Sequence, residues 1–323
     1  MANDENMEND DIDWAWQLII PDEAKKRRLC NGGQVLIHNT RADKAKDILK
    51  KPELWLRNAR TMKDEQEVRL GRDCVDRLLA SKTKELSTAL NAIAPNLWEE
   101  ISTCWNSEIN AQINQTYIAC FSTAPAGEFI GNERHWEEYG NVAFHFDPAF
   151  MRNDAPGLAL YLVNVVYGKD SIEQNLLDLL TNLKRHRDRL ANVPPDPLVS
   201  IIRHRFFFTA VASKSKDFAW ENEWRLIHTP FLFSSADVQN AVVDPSEQQQ
   251  PIYPLPLRDT LDGNNPLLNL PNLIRNIVIR PSAGFDHKAL YSDLVGLLKD
   301  HGVDDAANRV HLNDSKDVQK AGR

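Results

Sequence analysis

Apolar residues along this chain fall in short blocks whose period switches between the two of strands and the three-to-four of helices. Gln34-Val35-Leu36-Ile37-His38 follows the turn signal Asn31-Gly32-Gly33 and reads as a short buried strand. Leu54-Trp55-Leu56 reads as a second strand, and Thr116 to Ser122, Val142 to Phe146, Leu158 to Tyr167 and Ile274 to Ile279 as further ones. The segment 218–229 is predicted to be extended. Helical spacing covers 14–30 with an interruption at Pro21, then 41–50, 64–90, 97–113, 171–191, 198–213 and 290–298. An early strand and helix, a helical middle and then several strands predict an α+β fold rather than a regular βαβ alternation.

The segment 1–13 is rich in Asp, Glu and Asn and is predicted to be a disordered acidic tail. One domain is expected over 14–312, with a loop insertion at 236–269, where Asn, Pro, Gln and Asp crowd, and a polar tail at 313–323. The 323 residues, 42% of them hydrophobic, supply ample core material. The net charge of −8 argues against a chain-wide nucleic-acid footprint and leaves only local basic candidates, Lys184 to Arg189 and Arg203-His204-Arg205. The first residues lack the basic and apolar regions of a signal peptide, and no run reaches the ~18 apolar residues of a membrane span. Cys30, Cys74, Cys104 and Cys120 form no CxxC pair, so reduced thiols in a cytoplasmic protein are expected and a zinc site is not. Neither GxGxxG nor a P-loop occurs.

Four clusters carry candidate chemistry. In Asp217-Phe218-Ala219-Trp220-Glu221-Asn222-Glu223-Trp224-Arg225, strand alternation would turn Glu221 and Glu223 to one face. Two carboxylates so placed suit acid/base work or a ligand hydroxyl, and Arg225 on the same face suits a structural ion pair equally well. His38-Asn39-Thr40 closes a strand, where it can meet a ligand, or where Thr40 can simply cap the next helix. Cys120-Phe121-Ser122-Thr123 ends another strand in hydroxyls, as ligand donors or as a turn. Trp136 and Tyr139, three residues apart, share a helical face and can stack on a ring or fill a core.

Taken in order, these clusters resemble a bacterial family of domains of unknown function. Its pattern is a polar strand end, Leu-Trp-Leu, Asp-x-x-Glu, Cys-Phe-Ser, Trp-x-x-Tyr and a closing Trp-x-x-Glu-x-Arg. Here these are His38 to Thr40, Leu54 to Leu56, Asp64 and Glu67, Cys120 to Ser122, Trp136 and Tyr139, and Trp220, Glu223 and Arg225, so the likeness spans about 34–280. The chain departs from the family's Asn-Asp-Pro-x-Glu, with Met62-Lys63-Asp64-Glu65-Gln66-Glu67 in its place.

The same layout is similar to the ADP-ribosyltransferase superfamily, which implies a split β-sandwich core with helical insertions. The resemblance implies NAD as substrate, Glu223 and Glu221 as catalytic residues, and His38, Thr40, Ser122, Thr123, Trp136 and Tyr139 as its binding residues. It further implies a protein or nucleic-acid acceptor, no metal, and the setting of a bacterial toxin or phage-defence effector with an antitoxin among its partners. Two other readings stand beside it. One is a catalytically silent nucleotide-sensing or interaction module of the same fold. The other is a metal-dependent nuclease using Asp64, Glu67, Glu221 and Glu223.

Overall fold

A computed structural model describes the chain except residues 1, 21, 62–64, 129–132, 152–159, 231–241, 244–249, 259–267, 283–284 and 314–323. Helices α1 (Ala2–Ile19) and α2 (Asp22–Asn31) precede strand β1 (Gln34–Thr40), α3 (Ala42–Lys50) and β2 (Glu53–Asn58). A helical run follows: α4 (Glu65–Ser81), α5 (Thr83–Asn91) and α6 (Leu97–Asn114). Then come β3 (Tyr117–Pro125), α7 (Glu133–Tyr139), β4 (Val142–Phe146), β5 (Leu160–Asn164), β6 (Val166–Tyr167), α8 (Lys169–Arg185), α9 (Arg187–Leu190) and α10 (Pro195–Val211). The chain closes with β7 (Ser213–Lys214), β8 (Trp224–His228), β9 (Val242–Val243), β10 (Pro251–Pro256), α11 (Leu270–Leu273), β11 (Ile274–Ile279), α12 (His287–Asp300), α13 (Ala306–Arg309) and β12 (Val310–Leu312). The fold is α+β, and its main sheet is mixed because β11 and β12 run parallel among antiparallel pairs.

Strand β3 forks the sheet. Its second half pairs with β1, from Gln34 opposite Pro125 to Ile37 opposite Ser122, and β4, β11 and β12 follow beyond β1. Its first half pairs with β8, from Tyr117 opposite His228 to Phe121 opposite Trp224, and β5 lies beyond β8. Near Tyr117 it also meets β2, which leads to β10 and β9. Each face buries a separate apolar cluster. On one, Ile118 and Ile227 pack with residues of α1, α4 to α6, α8 and α10; on the other, Leu36, Phe144, Phe146 and Leu226 pack with α3 and α12. Helix α4 crosses α10 so closely that a Cβ on Gly71 would lie 2.1 Å from the Thr209 carbonyl oxygen, which explains a glycine inside a helix there.

Several sequence expectations change. The acidic N-terminal segment is helical from Ala2, because α1 gains from packing what its composition does not supply: Ala15 and Ile19 are buried in the core. The expected loop insertion contains β9 and β10, which pair with each other, and Ile252, Tyr253 and Leu255 of β10 are buried against β2; within it 236–241, 244–249 and 259–267 lie outside the described residues. The extension expected over 218–229 begins only at Trp224, since Lys216–Glu221 forms a 3-10 helix. The long strand expected to end at Tyr167 is divided into β5, paired with β8, and β6, paired with β7. Thr40 makes no helix cap; Arg41 holds that position without a side-chain capping bond, its guanidinium bonding Asp43 instead.

Candidate functional site

The two glutamates are brought together by a backbone reversal rather than by strand alternation. Asn222 lies between them in the left-handed region (φ 45°, ψ 52°), a conformation that Asn adopts more readily than most residues. Ser215 opens the 3-10 helix by accepting a hydrogen bond from the Asp217 amide. Beyond the reversal, the Glu223 carbonyl accepts from the Val165 amide, and its own amide donates to the Tyr167 hydroxyl at 2.7 Å. Both carboxylates are thereby turned inward, each only 4% exposed.

Lys214, on β7, completes the cluster. Parallel pairing of β7 with β6 sets Lys214 opposite Tyr167. Its Nζ donates to Glu221 Oε2 at 2.5 Å and to Glu223 Oε2 at 3.1 Å, with the Phe218 ring centre 4.9 Å away. Arg225 Nε donates to Glu223 Oε1 at 2.9 Å, and its Nη1 to the Val211 carbonyl at the end of α10. A cation at that terminus also suits the helix dipole. Two carboxylates and two cations balance, which a buried group of charges requires.

The two carboxyls differ. Burial alone would raise Glu223, but Arg225 and Lys214 outweigh it and hold the group down at about 2. Glu221 moves the other way: burial raises it against the opposing bonds from Lys214 and Tyr139. Tyr139 donates to Glu221 Oε1 at 2.6 Å and keeps 40% of its surface exposed, so an aromatic ring stands at the rim of the cluster. Its phenol is raised by burial and then by Glu221, and stays protonated as a donor. Beside it His135 lies 5.0 Å from the Trp220 ring, over which the Arg134 guanidinium sits at 4.2 Å. Gly140 closes this corner. A Cβ there would stand 2.4 Å from the Thr40 carbonyl oxygen, and φ is +121°, so glycine alone lets the end of α7 meet the end of β1.

Strand parity decides which expected residues face the cluster. Cys120 lies opposite Arg225, its thiol bonds Glu223, and Ser122 and Ala124 continue its face. On β1 the matching residues are Val35, Ile37 and Asn39. His38 and Thr40 therefore fall on the opposite face, where His38 packs against Phe121. Its Nδ1 donates to the Cys120 carbonyl at 3.1 Å, where β1 leaves β3, and burial lowers its basicity so that the ring is neutral. That is a correction to the sequence reading of His38 and Thr40 as residues facing the same ligand as the glutamates. Thr123 shares their parity, yet its hydroxyl accepts from Asn222 Nδ2 at 2.9 Å at the rim. Trp136 is 6% exposed within the cluster of Val35, Ile37, Ala143 and Val278; it is a core ring, and of the two aromatics only Tyr139 offers a face.

The basic candidates are also placed. Lys184 pairs with Glu85, Arg187 with Asp188 and Arg189 with Asp11. Arg203 pairs with Glu108, while His204 and Arg205 are buried, so 203–205 presents no open basic face. Asp64 lies outside the described residues, as does the side chain of Glu67, and among the described residues no group of three acidic, His or Cys side chains is placed to hold a metal ion. Burial and then the Glu223 charge push the Cys120 thiol well up, which removes it as a nucleophile.

Sequence reasoning missed Lys214, which lies seven residues before Glu221 and reaches it only through the turn between them. It also passed over Asn39, whose Nδ2 is buried with no hydrogen-bond partner among the described residues. Comparison with protein-family models, with curated proteins and with solved structures returns no match, so the reading of this site stands on its own geometry.

Proposed function

We propose that the protein is an NAD-dependent ADP-ribosyltransferase with Glu223 and Glu221 as its reacting carboxylates. One observation carries the reading. Two buried carboxylates are turned side by side onto the one Lys214 ammonium, with the partly exposed Tyr139 bonded to Glu221 at the rim, and burial raises Glu221 while Arg225 and Lys214 lower Glu223, an arrangement that suits an acid/base pair. The exposed Tyr139 ring and the Asn39 amide, unpartnered among the described residues, both at the meeting of α7 with β1, fit a ligand with a planar ring and hydroxyl acceptors.

In the reaction the bond between the nicotinamide nitrogen and the ribose breaks, and its electron pair leaves with nicotinamide. A lone pair of the acceptor forms the new bond to the same ribose carbon. Ionised Glu223 offsets the positive charge that develops on the sugar. Glu221 takes the acceptor's proton, and Tyr139 orients Glu221 and supports the leaving ring. Asn39 and Ser122 bind on the ribose side, and His38 holds the fork in shape rather than touching the sugar.

The test is incubation with labelled NAD and cell lysate, followed by asking whether label enters protein, RNA, DNA or free nicotinamide. Glu223→Gln should abolish transfer. It should also cost about 3 kcal/mol, because it leaves Lys214 and Arg225 underpaired, so transfer must be read well below melting. As an effector of bacterial conflict, the intact chain should slow growth when expressed and Glu223→Gln should not.

One observation favours a second reading, the catalytically silent module. Tyr139, Lys214 and Arg225 between them engage all four carboxylate oxygens. Binding of NAD without release of nicotinamide, unaltered by Glu223→Gln, would establish it.

A further inference from the structure

We infer that Lys214 is the positioning residue of this site, clamping Glu221 and Glu223 together so that one ammonium decides how the pair shares its protons. The inference deepens the transferase reading and rests on it for its role in catalysis. Its physical content stands alone.

The geometry is that of a clamp. Lys214 is 6% exposed and bonds both carboxylates. Its backbone is held by β6, and the same β6 supplies Tyr167, whose hydroxyl accepts from the Glu223 amide. Lysine and glutamate are thus referred to one two-stranded ribbon, which fixes their separation. The remaining titratable groups around the pair come from every side: Arg225 on β8, Cys120 on β3, Tyr167 on β6, and Tyr139 and His135 on α7. Arg225 is bonded to Glu223, and Tyr139 is neutral. Lys214 thus sets a full positive charge against Glu221, and that charge is shared with Glu223.

Removing that charge should act on Glu221 more than on Glu223, which keeps Arg225. A carboxylate that loses an adjacent cation and stays beside another carboxylate holds its proton to higher pH. Lys214→Met should therefore raise the Glu221 titration midpoint by at least ~1 pH unit. Lys214→Arg, which restores a cation able to bridge two carboxylates, should bring it back to within about half a unit of the wild-type value. Under the transferase reading, the acid limb of the pH–rate profile should move with Glu221.

The experiment is carbon-13 NMR of the full chain labelled at glutamate Cδ, with the two signals assigned through Glu221→Gln and Glu223→Gln. A Glu221 midpoint that rises in Lys214→Met and returns in Lys214→Arg supports the clamp. A midpoint unchanged within ~0.3 units in a folded Lys214→Met chain overturns it. Should Lys214→Met not fold, the double variant Lys214→Met/Glu223→Gln is compared with Glu223→Gln. The clamp requires the same rise there, and equal midpoints overturn it. If no chain transfers label from NAD but the midpoints move as stated, the transferase reading fails and the clamp stands. If transfer occurs while the midpoints do not move, the reverse holds.

Discussion

Tyr139 and Glu221 are 82 residues apart in sequence and share a 2.6 Å hydrogen bond, phenol to carboxylate. It ties the short helix α7 to the acidic turn before β8. Tyr139→Phe removes the bond and keeps the ring. A hydrogen bond to a charged group is worth roughly 1.5–3 kcal/mol, and partial exposure of Tyr139 argues for the lower end. The expected result is a loss of about 1.5 kcal/mol in chemical denaturation. The Glu221 midpoint should rise, because a donor to its ionised form is gone. Tyr139→Ala should in addition lose any ring stacking, so under the transferase reading Phe preserves NAD affinity and Ala weakens it. Equal affinity of the two variants would remove Tyr139 from the ligand face.

Asn222 controls whether the carboxylates meet at all. Its left-handed backbone turns Glu223 back toward Lys214 after the 3-10 helix. Glycine tolerates that conformation and a β-branched residue does not. Asn222→Gly should stay within about 1 kcal/mol of wild type, losing only the rim bond to Thr123. Asn222→Val should cost about 2 kcal/mol and separate the two carboxyl titrations, since the clamp on both is lost. The comparison needs only melting curves and the same carbon-13 titration. A Val variant as stable as the Gly variant would show that the turn is not under strain.

The elements that the sequence shows most plainly are those whose packing is local and periodic. Val142 to Phe146, Ile274 to Ile279 and the helix near 97–113 appear almost at their expected bounds. Elements stabilised by distant partners do not show themselves. Strand β12 exists because it lies beside β11, and β10, with Pro251, Pro254 and Pro256, because β2 offers it an edge. The site was legible in residue types and not in geometry. Val35-Leu36-Ile37 is buried on both faces, so no alternation marks which of His38 and Asn39 turns toward the glutamates. The glutamates were expected together through strand parity and meet instead through a reversal at Asn222. Lys214 gives no local signal, because a lysine after a helix reads as solvated until tertiary contacts enclose it.

Acid should destabilise the fold in two overlapping steps. His145 is 2% exposed on β4, beside Asn276 of β11, whose Oδ1 in turn accepts from His311 Nε2 of β12 at 3.0 Å. Burial, and then the neighbouring His311, lower His145 to about 4 from its ordinary value of 6.5. The unfolded chain therefore takes up this proton near pH 6.5 and the folded chain only near 4. The stability it contributes is complete above about 6.5 and falls as pH drops through about 4, by about 3 kcal/mol in total. His38, His135 and His311 are lowered by burial in the same sense and steepen the fall. Glu223 adds the second step: its contribution is complete above about 4.5 and is lost as pH falls toward about 2. Glu221 opposes it, since a raised carboxyl favours the folded state below its unfolded value and ceases to do so as pH rises through the folded one. Urea denaturation from pH 8 to 3.5 should show stability declining from about pH 6.5 downward. His145→Gln should flatten the upper step and leave the lower one, and Glu223→Gln the converse. Stability that is level between pH 6.5 and 4.5 in the wild-type chain would mean that His145 is reached by solvent and is not held neutral by the sheet.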